Sequence, residues 1–189
     1  MRSGRRRGSA ALGAVLTLLM VTMVGCASTQ RYDSVLWRQI RAEQSVISDE
    51  LHRPTQLLTR DVLMERLSTV AVVWESGEAP PRFASTEPAS IVHDIRDAGV
   101  DDYGDPVLEF TAFVSSGVRP EVSKDDGWKY TGPSTVYTCY TWEVVFVADR
   151  VWDARMTGYA EDTDLECDER LIARLPQDAT HIATADLVG

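Results

Sequence analysis

"STVYTCYTWEVVFVA", Ser134–Ala148, is the stretch whose reading decides the fold. β-Branched and aromatic residues dominate it, and neither glycine nor proline interrupts it, which is the composition of a strand. Read with a period of two, Val136, Thr138, Tyr140, Trp142, Val144 and Phe146 point one way. Tyr137, Cys139, Thr141, Glu143 and Val145 point the other way. The first set is the more apolar and is expected to face the core. Cys139 is then expected on the opposite face.

The same period extends to both sides of this strand. "VLEFTAFVSS" (107–116) alternates, with Leu108, Phe110 and Ala112 on one side, and "VWDARMTGYA" (151–160) reads as the next strand. "KDDGWKY" (124–130) offers an Asp-Gly turn. "CDERLIARL" (167–175) reads as a short helix capped by Asp168, with Leu171 and Leu175 inward. "THIATADLV" (180–188) reads as a last edge strand.

Upstream the period changes to helical. Tyr32, Leu36, Ile40, Ile47 and Leu51 recur at steps of four or seven, one stripe of a helix that Pro54 ends. Thr59 can cap a second helix in which Leu63, Leu67, Val70 and Trp74 share a face, with Gly77 as its stop. Its end is ambiguous, because "TVAVVW" (69–74) is equally rich in strand formers; helix is preferred. "TEPASIVHDIRDAGV" (86–100) reads as a third helix, with Thr86 as cap, Pro88 in the first turn, Ile91, Ile95 and Ala98 on one face and Gly99 as a left-handed stop. Helices first and sheet after is the α+β pattern, N-terminal helices on a mainly antiparallel sheet. Cystatin-like and NTF2-like folds have that shape, a resemblance of layout carried by no residue motif.

The N-terminus reads differently. Arg2, Arg5, Arg6 and Arg7 precede an uncharged apolar run, Ala10–Gly25, that ends in Met23-Val24-Gly25-Cys26. The run is shorter than the ~20 apolar residues a membrane-spanning helix needs. This segment resembles the signal peptide and lipobox of bacterial lipoproteins, and the acidic chain behind it is similar to actinobacterial ones. The resemblance implies removal of residues 1–25 and a lipid (diacylglyceryl and fatty acyl chains such as palmitate) on Cys26; residues 26–30 then form a short tether, and the length that remains, in a chain 44% hydrophobic, suits a single domain over 31–189. The resemblance also implies a protein anchored at the extracytoplasmic face of the cell membrane, since stable anchoring takes more than one chain. The alternative is an uncleaved N-terminal anchor in which Cys26 is incidental.

Residues 1–25 hold four arginines and no acid, so 15 basic side chains face 29 acidic ones in the rest, a net charge of −14. Such a surface repels phosphate backbones and anionic headgroups, which argues against nucleic-acid partners and leaves anchoring to the lipid. Cationic partners are permitted electrostatically, although a solvated acidic surface also accounts for the charge. If lipid takes Cys26, Cys139 and Cys167 remain, and an oxidising exterior allows them one disulfide. Two buried free thiols are the alternative.

No catalytic motif stands out: no nucleophile elbow, no phosphate-binding glycine loop, no Ser-x-x-Lys, and no cofactor motif. His52, His93 and His181 lie far apart. His93 beside Asp94 and Asp97 could be an oriented base or a polar residue on a solvated face; the second is preferred. His52 near a helix C-terminus is favoured by the dipole alone. Two acidic runs are weak calcium candidates: "DDYGD" with Asp101, Tyr103 and Asp105, and "EDTDLECD" with Asp162, Asp164, Glu166 and Asp168. Tyr130, Tyr137, Tyr140, Trp142, Trp152 and Tyr159 could form a ligand platform, or fill the core over the helices, which is preferred. The expectation is a non-catalytic binding or envelope-interaction module, with a hydrolase or metal-dependent enzyme of scattered His and acidic residues as the alternative. Cys26→Ala is expected to leave an uncut precursor, seen as a band about 2–3 kDa heavier; normal processing would refute the lipobox.

Overall fold

The computed structural model describes residues 34–53, 58–119, 132–157 and 165–182, all within the unit Tyr32–Gly189. Two helices come first, α1 (Ser34–Leu51) and α2 (Arg60–Val70). Four main strands follow, β2 (Ala89–Val100), β3 (Pro106–Ser115), β4 (Val136–Val147) and β5 (Arg150–Thr157), with the two-residue strand β1 (Val72–Val73) ahead of them. The short helix α3 (Glu169–Ile172) and strand β6 (Thr180–His181) complete the order. The strands form one sheet in the order β1-β2-β3-β4-β5, with β6 also pairing β4. Every neighbour in the run β2 to β5 is antiparallel; β1 on β2 and β6 on β4 are parallel. This is the α+β layout that the change of period implies.

β4 carries both faces of the sheet. Val136, Tyr140, Trp142, Val144 and Phe146 are buried with Leu36, Ile40, Ile47 and Leu51 of α1 and Leu63 and Leu67 of α2, the division that its alternation predicts. α1 is held to the sheet by more than its apolar stripe, since Ser90 Oγ donates to Glu43 Oε2 at 2.7 Å. Helix α2 begins at Thr59, whose hydroxyl accepts from the Val62 amide, and Asp61 in its first turn suits the positive end of the helix. Tyr32, the first residue of the expected stripe, and the Asp-Gly turn at 126–127 lie outside the described residues.

The opposite face holds a second, smaller core of Trp74, Ile91, Phe113, Cys139, Cys167, Leu171 and Leu175. Cys139 and Cys167 are joined by a disulfide with Cα atoms 5.6 Å apart. Asp168 caps α3 as expected, accepting from the Arg170 amide at 2.8 Å. The tail then reaches β4: Asp178 accepts from the Ser134 amide and hydroxyl at 2.9 and 2.6 Å, and the Ile182 amide donates to Tyr137 O at 2.8 Å.

Two expectations fail. Residues 86–100 are not a helix: residues 89–100 are strand β2, paired with β3 from Ala89 to Val100 with two interruptions. Ser90, Ile91, Val92 and His93 are all buried, because helices cover one face there and the small core covers the other, so no alternation is visible. Register shifts between His93 and Arg96 and between Asp97 and Gly99 then break the period of two. Asp94 at φ 53° and Gly99 at φ 93° lie at these irregularities; Gly99 is left-handed, as expected, but inside a strand. Secondly, α2 ends at Val70 and Ala71 is extended, so Val72 and Val73 pair with Ile91 and Val92 and Trp74 crosses to the other face.

The disulfide closes a loop of sequence separation 28 over a core of few side chains. In the chain-entropy description such a loop contributes roughly 3.5 kcal/mol. Cys139→Ser with Cys167→Ser is therefore expected to lower the unfolding free energy by about 3 kcal/mol, measured by urea denaturation. A loss below about 1 kcal/mol would show that the second core stands without its covalent pin.

Candidate functional site

Among the described residues, the second core covers only part of its face. Beyond it, on the same face of β3 and β4, the side chains turn polar, with Arg96 paired to Glu109 and Arg155 to Glu143. Past these pairs lies a groove of about 640 Å³ between the β2–β3 connection and β5. Local chemistry builds its rim. Asp101 Oδ1 accepts from the amides of Tyr103 and Asp105, both at 2.9 Å, and Gly104 takes φ 87°, a conformation glycine adopts without strain. This tight turn holds Tyr103 out of the sheet. On the far wall, β5 is irregular: Val145 pairs with Asp153 and Phe146 with Val151, which leaves Trp152 between them with no cross-strand partner. A bulge of this kind re-aims a side chain.

Tyr103 is 90% exposed, Trp152 76% and Val100 64%. All three line this groove. Five carboxylates, those of Asp101, Asp102, Asp105, Glu143 and Asp153, accompany one guanidinium, that of Arg155. Arg155 is held by Glu143 at 2.6 Å, and that hydrogen bond pushes its pKa up. Asp101 is engaged by the turn amides. Asp102 and Asp105 form no ion pair among the described residues, whereas Asp153 acts on Arg155 through its charge.

The covered half of the face holds a different cluster. His93 is 2% exposed, and its Nδ1 lies 2.9 Å from Asp94 Oδ2. Ser76 Oγ donates to the other oxygen of that carboxylate. Trp74 lies 5.6 Å from the His93 ring, and the Arg170 guanidinium sits 4.6 Å over Trp74. Arg170 also donates to Asp168 and to Ser76 O. This hydrogen bond from Arg170 holds the Asp168 carboxyl below the usual range. His93 Nε2 and Trp74 Nε1 are buried without a hydrogen-bond partner among the described residues. A carboxylate on Nδ1 orients an imidazole for base chemistry. Here, however, Ser76 binds the carboxylate rather than Nε2, and the ring is sealed beneath Trp74. His93 is thus a buried strand residue and not part of a solvated helix face.

The other sites named from the sequence are dispersed. His52 takes the end of α1, with Nδ1 2.9 Å from Ser48 O and its ring edge-on to Trp142. His181 packs on Tyr137, 5.4 Å between centroids. It also approaches Cys139 and Cys167, but both sulfurs are spent in the disulfide and cannot act as thiolate ligands. Of the calcium candidates, Asp162 and Asp164 lie outside the described residues, Glu166 is exposed, and Asp168 is committed to Arg170. The aromatics divide: Tyr140 and Trp142 fill the core, Tyr137 stacks on Phe113, and Trp152 lines the groove, while Tyr130 and Tyr159 lie outside the described residues. Sequence reasoning missed the grouping of Val100 and Tyr103 with Trp152, because it depends on residues 89–100 being a strand. Compared with known protein families, with characterised proteins and with solved structures, the chain matches none.

Asp168 joins the α3 cap to the Arg170–Trp74 stack, so Asp168→Ala is expected to lower stability by about 1–2 kcal/mol. A carboxyl whose folded pKa is depressed contributes fully above its unfolded pKa, and that contribution fades as pH falls through the folded value. The gap between wild type and variant in thermal melts should accordingly narrow as pH is taken below the ordinary aspartate range. A gap independent of pH would contradict the ionic share of this role.

Proposed function

We propose that this chain is an extracytoplasmic lipoprotein whose domain is a non-catalytic binding module for a partner in the cell envelope. In this reading residues 1–25 are a removed signal peptide, Cys26 carries the lipid, and the domain works at the outer face of the cell membrane. The reading of the first 26 residues rests on the lipobox resemblance, and a disulfide between Cys139 and Cys167 is compatible with an oxidising exterior.

The observation that carries the binding role is the grouping of exposed apolar side chains. Four large hydrophobic residues stand exposed among the described ones, Val72, Val100, Tyr103 and Trp152, and three of them line one groove. Scattered single exposures need no explanation, whereas a gathered set bordered by polar residues marks an interaction surface. Tryptophan and tyrosine are also the side chains that dominate binding energy at such surfaces.

A catalytic role for His93 stands second. It is favoured by an unpartnered Nε2 on a ring already bonded to Asp94, and disfavoured by the burial of that ring.

A photo-crosslinking residue at Trp152 or Tyr103, in the anchored protein in its own envelope, is expected to give a discrete protein adduct. The same group at Val72 should give none. Adducts that are absent from the groove positions, or equal at Val72, would overturn the binding reading.

A further inference from the structure

We infer that the groove between the β2–β3 turn and β5 takes a basic polypeptide segment, in which lysine or arginine alternates with apolar side chains. This rests on the binding reading above and names the partner's chemistry.

Charge comes first. Five carboxylates against one guanidinium line the groove, and the guanidinium is already paired with Glu143. Asp102 and Asp105 on the turn form no ion pair among the described residues, and Asp153 on β5, which reaches Arg155 through its charge alone, adds a carboxylate on the other wall. The field between them favours a positive occupant and disfavours an anionic lipid or a nucleic acid. Aromatic chemistry points the same way. Trp152 and Tyr103 present their rings at 76% and 90% exposure, and an indole or phenol face attracts ammonium and guanidinium groups. Val100 supplies an apolar contact, 64% exposed, that a simple inorganic cation cannot use. A calcium ion is further disfavoured because Asp101 already spends an oxygen on two backbone amides. Carboxylates on two walls, with aromatic and aliphatic surface between them, fit an extended chain better than a point charge.

The test uses the full mature lipoprotein, purified in non-ionic detergent, and a fluorescein-labelled ten-residue peptide of alternating lysine and valine, followed by anisotropy. The peptide is expected to bind, and its glutamate–valine counterpart to bind at least about tenfold more weakly. Trp152→Ala should weaken binding about tenfold, as removal of an aromatic anchor does. Asp102→Asn with Asp105→Asn should do so by a similar factor while leaving the melting temperature unchanged, since neither side chain forms an ion pair among the described residues. As a control on net charge, Asp49→Asn with Glu65→Gln, both on exposed helix surface, should leave affinity within about twofold. Equal losses from the control pair and the groove pair would show bulk charge at work and overturn the proposal. So would spermidine or calcium displacing the peptide at its own dissociation constant, which would mark a small-cation site. Groove crosslinks retained in the envelope without any affinity for the basic peptide would overturn this partner chemistry and leave the binding reading standing. Loss of both would overturn both.

Discussion

One strand with both faces to cover governs this structure. β4 presents Tyr140, Trp142, Val144 and Phe146 to the helices and Cys139 and Val145 to the other side, and it lies inside the sheet between β3 and two shorter partners. Each large apolar side chain removed from water contributes about 1.5–3 kcal/mol, so neither face can be left bare. The two faces are covered by unequal means. α1 is 18 residues long and α2 is 11, enough to run across the sheet on one side. Among the described residues, the other side receives a four-residue helix and the segment that follows it to His181. The disulfide from Cys139 to Cys167 fixes this small layer to β4, where its few apolar side chains are buried.

That shortage also accounts for the groove. Among the described residues, the second layer reaches over the Trp74, Phe113 and Cys139 end of the sheet and goes no further. Where it stops, the residues change from apolar to paired charge, Arg96 with Glu109 and Arg155 with Glu143, which tolerate partial exposure. Beyond the pairs the apolar residues return in Val100, Tyr103 and Trp152, now without a layer of their own chain among the described residues. Past the end of the cover that the described residues provide, this surface is apolar, with acidic groups around its edge. His93 lies on the covered half and is enclosed by Trp74 and Arg170, which separates the only buried histidine among the described residues from the open surface.

Legibility followed how plainly each residue's surroundings show in its neighbours. β3 and β4 alternate and were readable, as were β5 as the strand that follows them, the α1 stripe, the Asp168 cap and the cysteine pair. β2 was not: its first half is buried on both faces, its second half is twice out of register, and Ile91, Ile95 and Ala98 fall by accident at helical spacing. The turn that joins β4 to β5 carries no sequence mark, because it uses Ala148 and Asp149 at φ 49° and 62° where asparagine and glycine are usual. Misreading β2 removed the groove from view. Trp152 could be singled out as an aromatic in a strand, but the turn that sets Tyr103 and Val100 opposite it exists only if residues 89–100 and 106–115 are a strand pair.

Amide hydrogen exchange on the disulfide-intact and the reduced domain tests this account of two unequally held faces most directly. The amides of Val136–Phe146 and their β3 partners should be the slowest in both states, because the helices keep their side of the sheet closed. Reduction should release protection across residues 165–175 while sparing those central amides. Central amides that exchange as fast as those of β5, or a tail indifferent to reduction, would contradict it.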